Sequence, residues 1–160
     1  RRSSLKNKLG DILDDFRHLT HELHPRHLDT VSLACSMRTY INEFMDYTSL
    51  DVEFTERAVP AHLPMPITIC LYRLLQESLG NIRKHANAKH VDVSLSAGQR
   101  EIDLRVSDDG SGFNSGDSKK GLGLTSMQER VRPLRGHVVI DSSPGRGTVI
   151  EVKIPLFSEA

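Results

Sequence analysis

The chain has 160 residues, 38% of them apolar, which suffices for one domain with a substantial core and one additional element. Its 21 basic and 21 acidic residues balance, which argues against a bulk electrostatic partner such as nucleic acid or a membrane surface. No apolar run approaches the roughly 18 residues that cross a bilayer, and the N-terminus lacks the apolar core of a signal peptide.

The two cysteines, Cys35 and Cys70, are far apart and form no CxxC pair. We therefore expect both thiols to be reduced and buried, in an intracellular protein. Because the sequence does not begin with methionine, we also expect it to be a fragment of a longer protein.

Two amphipathic helices are predicted in the first 46 residues, because apolar side chains recur at steps of three and four. The first stripe comprises Leu5, Leu9, Ile12, Leu13, Phe16, Leu19 and Leu23. The second comprises Val31, Ala34, Met37, Tyr40, Ile41, Phe44 and Met45, and this helix ends near Tyr47. Pro25 ends or kinks the first helix.

The rest of the chain alternates strands and helices. Alternating polar and apolar residues predict a strand over Leu50–Val59, and helical spacing predicts a helix over Ile67–His85 with Pro66 as its first residue. Two hairpins are predicted, HVDVSLS with EIDLRVS and HVVIDS with TVIEVKIP. A glycine-rich loop and a short helix near Thr125–Leu134 lie between them.

The predicted Ile67–His85 helix carries a row of polar side chains. At about 100° per residue, Glu77, Asn81 and His85 follow one another at i, i+4 and i+8, with Lys84 beside them. The row borders the apolar arc, so we expect it to face whatever the helix lines. A polar edge with chance spacing is the alternative.

Strand parity directs one carboxylate and one hydroxyl toward the core side of the sheet. The apolar residues of EIDLRVSDDG are all even-numbered, and a period of two extends their face to Asp108. The same argument places Thr148 on the apolar face of TVIEVKIP. Because an unpaired buried carboxylate is costly, we expect a ligand donor such as an exocyclic amine opposite Asp108. A turn cap is the alternative.

Four segments, QESLGNIRKHA, DDGSGF, GLGLTSM and GRGTVIEVKIP, occur in this order along the chain. They resemble the N, G1, G2 and final glycine boxes of the ATPase domain shared by sensor histidine kinases, type II topoisomerases, mismatch-repair ATPases and a chaperone family. The match spans about Leu50–Pro155, and the boxes are most similar to those of NarX-like sensor kinases coupled to DNA-binding response regulators. The segment from Asp15 to Phe44 resembles the second helix of their dimerisation hairpin and its connection.

The resemblance implies roles at the phosphate end of a bound nucleotide. It assigns Asn81 to a Mg²⁺ ion that bridges the phosphates and Glu77 to orienting or deprotonating the attacking group. Lys84 and His85 are assigned to positions near phosphate. A hard ion held by one side-chain oxygen, water and phosphates is the usual arrangement for magnesium.

The resemblance also implies an adenine pocket and a lid. Asp108 takes the adenine amine, Thr148 supports the same contact, and Gly110 and Gly112 shape the pocket. The hinge of the ATP lid is assigned to Gly121 and Gly123, and Leu124 belongs to the same nucleotide-binding set. The lid segment FNSGDSKK is short and polar, and neither a longer lid nor the aromatic F box of other kinase subfamilies is evident.

The acceptor histidine departs from the family pattern. Kinases of this type phosphorylate a histidine in the first hairpin helix, in an ELHD-like setting, whereas THELHP has Pro25 in place of the acidic neighbour of His24. We therefore expect the acceptor upstream of Arg1. A metal site formed by His18, His21, His24 and His27 is a further interpretation, which the helix-breaking Pro25 and the absence of a neighbouring cysteine disfavour.

The resemblance implies an α+β fold, a two-layer α/β sandwich of the Bergerat type with helices on one face of a mixed sheet. A helical dimerisation segment would occupy 1–48 and the catalytic ATP-binding domain 49–160. The implied function is transfer of the γ-phosphate of ATP to a histidine, with ATP and Mg²⁺ as cofactors, and onward to a response regulator with a DNA-binding output domain. We expect a homodimeric full-length protein, a cytoplasmic location, no direct nucleic-acid contact, and any membrane attachment outside this chain.

Two other functions remain open, an anti-sigma-type serine kinase and a degenerate nucleotide-binding signalling module. The presence of Glu77 and Asn81 argues against degeneration. The sequence contains no GxxxxGK[ST] P-loop, and each glycine pair lacks the third glycine of a dinucleotide-binding fingerprint.

Overall fold

The computed structural model describes residue 28 and residues 30–114 and 122–156. The elements are α1 (Leu33–Tyr47), β1 (Asp51–Arg57), α2 (Met65–Asn81), a π-helical turn (Ile82–Ala86), β2 (His90–Ala97), β3 (Glu101–Asp108), α3 (Leu122–Val131), a 3₁₀ turn (Arg132–Leu134), β4 (His137–Ser142) and β5 (Thr148–Pro155). The predicted first helix and the histidines from His18 to His27 lie outside the described residues. Each predicted strand and helix in the described part is confirmed, with shifts of a few residues at the ends.

The strands form one mixed sheet in the order β1-β2-β3-β5-β4. Strand β1 pairs with β2 in parallel, across the connection that contains α2, whereas β2–β3, β3–β5 and β4–β5 are antiparallel. Both predicted hairpins are present. The β3–β5 register places Asp108 directly opposite Thr148, at the same edge of the sheet.

One face of the sheet is buried under the helices. The even-numbered apolar residues of β3 are at most 2% exposed, and they belong to one continuous core together with residues of α1, α2 and α3. The residues between them in β3 are half-buried or exposed. This arrangement is the predicted two-layer sandwich.

Helix α1 begins where a serine satisfies a free backbone N–H. Ser32 is its N-cap, and the Ser32 side-chain oxygen accepts from the Cys35 amide at 3.3 Å. The Tyr40 ring contacts the Tyr72 ring of α2 edge-to-face, with centroids 5.8 Å apart. Helix α1 thus shares the core of the sheet, and a division of the chain between 1–48 and 49–160 stays a prediction.

Helix α2 differs from the prediction at both ends. It begins at Met65, one residue before Pro66, and its regular part ends at Asn81 instead of continuing to His85. The chain then widens into the π-helical turn, which ends at Asn87 in a left-handed conformation with φ 50°. The helical spacing that linked Glu77 and Asn81 to His85 is therefore interrupted, because a π turn advances by a smaller angle per residue than an α-helix.

The two cysteines lie in different surroundings, and both are free thiols. Cys70 is buried between α2 and α3, where its Sγ contacts the Arg130 carbonyl oxygen at 3.6 Å. Burial raises the pKa of Cys70 to about 11. Cys35 is exposed, so the expectation that both thiols are buried is wrong for Cys35, which lies on the side of α1 that faces away from the core.

Three backbone segments converge at the edge of the sheet where β3 ends: the end of the π-helical turn, the loop after β3, and the turn between β4 and β5. Ser111 joins all three, since its amide donates to the Ala86 carbonyl at 2.6 Å and its carbonyl accepts from the Gly145 amide at 2.6 Å. The contact brings α2 and the β4–β5 turn against the loop DDGSG.

Glycines permit this close approach. A Cβ on Gly110 would lie 2.7 Å from the Cβ of Ala86, and one on Gly112, where φ is +59°, would lie 2.7 Å from the Gly147 carbonyl oxygen. Gly147 itself has φ +70°, and a Cβ there would overlap the Asp108 carbonyl. Gly110 and Gly112 were predicted from the sequence to shape a pocket, and both are at points where only glycine fits.

No helix in the described ranges is long and apolar enough to span a bilayer.

Gly147 and Gly145 provide a matched pair of substitutions. Both glycines have left-handed φ values, +70° and +78°, but a Cβ on Gly145 would meet no atom within 4 Å. We expect Gly145→Ala to lower the free energy of unfolding by roughly 1 to 2 kcal/mol, the cost of the left-handed conformation alone. In Gly147→Ala the steric overlap costs about 1 to 3 kcal/mol more, so the free energy of unfolding should fall by roughly 2 to 5 kcal/mol in total. Urea denaturation of both variants measures the difference, and equal losses would contradict the close approach.

Candidate functional site

Asp108 is the buried carboxylate at the edge of the sheet where β3 ends and the three backbone segments meet. It is the last residue of β3 and only 7% exposed, on the core side as strand parity predicts. Its Oδ1 accepts from the Gly110 amide at 2.8 Å. Burial raises the pKa of Asp108 above its usual value, and the charge of Asp109 adds to this, while hydrogen bonds from the Gly110 and Thr148 amides act in the opposite direction.

The bond to Gly110 means that Asp108 does cap its turn, which was the alternative to a ligand-binding role. One carboxylate offers about four lone-pair positions, however, and two backbone donors occupy two of them. The remaining acceptor positions are available to a donor from a ligand. The two roles are therefore compatible.

Asp109 serves a different purpose from Asp108. Its side chain is exposed, and its Oδ1 accepts from the Lys89 amide at 2.8 Å and from the His90 amide at 3.0 Å. These bonds hold the pKa of Asp109 below its usual value, with the bond from His90 as the largest cause. Asp109 thus fastens the start of β2 to the end of β3, and Asp108 is left as the inward carboxylate of the pair.

Two hydroxyl groups lie together beside Asp108. Ser142, the last residue of β4, pairs with Thr148 across the hairpin, and their side-chain oxygens are 2.9 Å apart. Ser142 Oγ also donates to the Gly147 carbonyl oxygen at 3.1 Å and accepts from the Phe113 amide at 2.9 Å. Ser142 is only 5% exposed. It was not predicted from the sequence, because its relation to Thr148 depends on the hairpin register.

Glu77 and Asn81 form the polar pair at the end of α2. The Asn81 Nδ2 donates to Glu77 Oε1 at 3.3 Å, and both side chains are half-buried. Since a carboxylate can only accept, the Asn81 amide nitrogen must face Glu77, and the Asn81 carbonyl oxygen points to the other side. That oxygen is the kind of ligand that Mg²⁺ prefers, so the residues present fit the predicted ion.

The other predicted site residues are placed less closely. Lys84 and His85 lie on the π-helical turn and are exposed. Gly121 lies outside the described residues, and Gly123 and Leu124 fall in the first turn of α3. Their assignment to the hinge and to nucleotide binding stays a prediction.

Elsewhere in the described part of the chain, Glu53, His90 and Asp92 hold possible metal-ligand atoms within 4.8 Å of one another. The His90 ring nitrogens are already paired with Asp51 at 2.9 Å and with Asp92 at 3.3 Å. The same pairs raise the pKa of His90, with the bond to Asp51 as the largest cause. Ion pairing on an exposed surface accounts for this group.

The family described as histidine kinase-, DNA gyrase B- and HSP90-like ATPase matches residues 68–158 of the chain. The signal transduction histidine-protein kinase/phosphatase DegS of Brevibacillus brevis is 33% identical over 156 residues, which are 97% of this chain and 40% of DegS. The oxygen sensor histidine kinase NreB of Staphylococcus carnosus (strain TM300) is 36% identical over 150 residues, 92% of this chain and 43% of NreB. The chain thus spans less than half the length of either relative.

A solved structure shows the same fold. The histidine kinase domain from the Erythrobacter litoralis EL346 blue-light activated histidine kinase superposes with a TM-score of 0.61 at 22% identity, over 78% of this chain and 61% of that chain. The family match covers four of the five strands and all but the first three residues of α2, and so includes the Glu77–Asn81 pair. The chain therefore belongs to the histidine kinase-, DNA gyrase B- and HSP90-like ATPase family.

Proposed function

We propose that this chain binds ATP with Mg²⁺ and directs its γ-phosphate to a histidine, from which the phosphate passes to a response regulator. The observation that carries the proposal is the buried Asp108 carboxylate. Two backbone amides donate to it, and its remaining lone pairs can accept a hydrogen bond from a ligand. The names of the relatives DegS and NreB support the same activity. Because the chain spans less than half of each relative, the activity of the whole protein is part of the proposal.

The chemistry of Asp108 favours adenine over guanine. A carboxylate only accepts hydrogen bonds, so it matches the exocyclic amine of adenine and opposes the carbonyl oxygen of guanine. Gly110 and Gly112 let the loop after β3 turn tightly beside Asp108, because a Cβ at either position would overlap neighbouring backbone. The adenine amine would approach the acceptor positions of Asp108 that its two backbone donors leave open.

The other end of the nucleotide is assigned to the end of α2. Asn81 would contribute its carbonyl oxygen to the ion, while its amide nitrogen stays on Glu77. A Mg²⁺ ion held there would supply positive charge against the phosphate groups. Glu77 would orient the attacking imidazole or accept its proton, and the exposed Lys84 and His85 would contact phosphate oxygens. Gly121, Gly123 and Leu124 would act at the lid.

The remaining parts of the proposal concern the longer protein. We propose a homodimer in the cytoplasm whose response regulator carries a DNA-binding output domain, with no direct nucleic-acid contact by this chain and any membrane attachment outside it. An anti-sigma-type serine kinase with the same pocket is the second candidate, and it differs in the acceptor. A degenerate, non-catalytic module is disfavoured because the Glu77–Asn81 pair is intact and bonded.

The adenine contact is tested by Asp108→Asn, with Asp109→Asn as the matched control. Loss of a hydrogen bond to a charged acceptor costs roughly 1.5 to 3 kcal/mol, so Asp108→Asn should lower ATP affinity about 10- to 150-fold. Asp109 is exposed and holds the backbone amides of Lys89 and His90, so Asp109→Asn should leave ATP affinity within about twofold. Calorimetry with ATP and GTP gives both values. Equal affinity of the unmodified chain for ATP and GTP would contradict the adenine assignment.

The phosphate end is tested by separating binding from transfer. Asn81→Ala should remove most of the Mg²⁺-dependent part of ATP affinity, because it deletes the proposed ligand oxygen. Glu77→Gln should leave ATP affinity nearly intact and lower transfer by about 100-fold or more when a competent acceptor is supplied. The exposed Glu43 on α1 provides the control Glu43→Gln, which should change neither. Unchanged transfer by Glu77→Gln would show that the pair is only a polar edge.

The acceptor is tested by labelling with γ-labelled ATP. Since His24 precedes Pro25 and lacks the acidic neighbour of the family setting, we expect the chain to bind ATP and gain no acid-labile phosphate. A version extended upstream to include the first hairpin helix should be labelled, because phosphoryl transfer requires an imidazole held close to the γ-phosphate. Label on His24, removed by His24→Gln, would show that the acceptor is within the chain. Label on a serine of an added protein would favour the second candidate.

A further inference from the structure

Ser142 is a hydroxyl with three polar neighbours in the wall of the proposed adenine pocket. Its Oγ lies 2.9 Å from the Phe113 amide nitrogen, 3.1 Å from the Gly147 carbonyl oxygen and 2.9 Å from Thr148 Oγ1. The side chain is only 5% exposed, so water is nearly excluded from it. Each neighbour therefore constrains where the one hydroxyl hydrogen of Ser142 lies.

The number of hydrogens decides the direction of each bond. A serine hydroxyl has one hydrogen to donate and two lone pairs to accept with. The Phe113 amide can only donate, and the Gly147 carbonyl can only accept, so Ser142 accepts from the first and donates to the second. Its hydrogen is then used, and the contact with Thr148 is satisfied only when the Thr148 hydroxyl donates to Ser142. This arrangement fills every bonding position of Ser142.

The same count fixes the chemical character of Thr148. Its single hydroxyl hydrogen is committed to Ser142, so its oxygen faces the rest of the site with lone pairs only. Thr148 lies directly opposite Asp108 in the β3–β5 register. The pocket wall thus presents two acceptors, a carboxylate and a hydroxyl oxygen, and no hydroxyl donor from Thr148.

We propose that Ser142 is a positioning residue that sets base specificity, because it holds the Thr148 hydroxyl as an acceptor toward the nucleotide. This inference rests on the proposed function, in which the pocket takes the base of ATP. Two acceptors suit a base edge that carries an amine, directly or through a bound water. They oppose a base with an oxygen at the same position, and without Ser142 the Thr148 hydroxyl is free to turn and donate to that oxygen.

The test compares ATP with inosine triphosphate, in which an oxygen replaces the exocyclic amine. The measured quantity is the ratio of the two dissociation constants, obtained by calorimetry. Ser142→Ala should lower the discrimination in favour of ATP by about fivefold to tenfold, the effect of one hydrogen bond. Ser142→Thr, which retains a hydroxyl, should keep the ratio within about twofold of the unmodified chain. The exposed neighbour Ser143 provides the control Ser143→Ala, for which no change is expected.

A purely structural role for Ser142 predicts a different result. Loss of packing would lower the melting temperature and weaken the binding of both nucleotides equally. The ratio of their dissociation constants would then stay constant. A double variant tests whether Ser142 acts through Thr148. Thr148→Val already lacks the hydroxyl, so adding Ser142→Ala to it should change the ratio no further. If Ser142→Ala does not fold, Thr148→Val alone should still lower the ratio, and an unchanged ratio in that variant would overturn the inference.

The possible failures are distinguishable. If the unmodified chain binds ATP selectively and Ser142→Ala leaves the ratio unchanged, the role of Ser142 is wrong and the proposed function stands. An equal effect of Ser142→Ala with and without the Thr148 hydroxyl would also overturn the inference. If the unmodified chain binds no ATP, the proposed function and the role of Ser142 both fail.

Discussion

A buried carboxylate that must be satisfied by backbone amides organises this protein. Asp108 accepts from the Gly110 amide, and the Thr148 amide contributes from the neighbouring strand. Both donors arrive only if β3 and β5 keep their register and if the loop after β3 turns back immediately. The glycines at 110 and 147 are consequences of that constraint, because the chain folds back on Asp108 from both sides. Burying the charge therefore determines backbone geometry well beyond one side chain.

The two ends of the proposed site are built in different ways. The adenine end is lined by strand termini and short turns whose backbone bonds cross between segments, including the contacts of Ser111 with Ala86 and Gly145. The phosphate end rests on the last turn of α2 and on side chains of its π-helical extension, two of which are exposed. Such a division suits phosphoryl transfer, in which the base is held in place and the phosphates must meet a moving partner.

Local patterns predicted much of the fold. Period-two alternation placed Asp108 and Thr148 on the core side, and turn residues located both hairpins, because these signals involve neighbouring residues. The strand order and the parallel pairing of β1 with β2 depend on contacts between distant segments, which periodicity does not report. The π-helical turn was missed for a related reason, since a constant angle per residue was extended beyond Asn81. Ser142 was missed because its importance arises from cross-strand pairing.

The contrast between the two thiols has a practical consequence. Cys35 lies exposed on α1, whereas Cys70 is enclosed between α2 and α3 and its pKa is raised to about 11. Only the thiolate reacts readily with electrophiles, so in the folded protein a maleimide dye attaches at Cys35 and spares Cys70. A dye at that position reports on α1 without altering the sheet. A dye reaches Cys70 only when α3 separates from α2. The slow rate of Cys70 modification therefore measures how often these two helices separate, and α3 is the helix that follows the proposed lid.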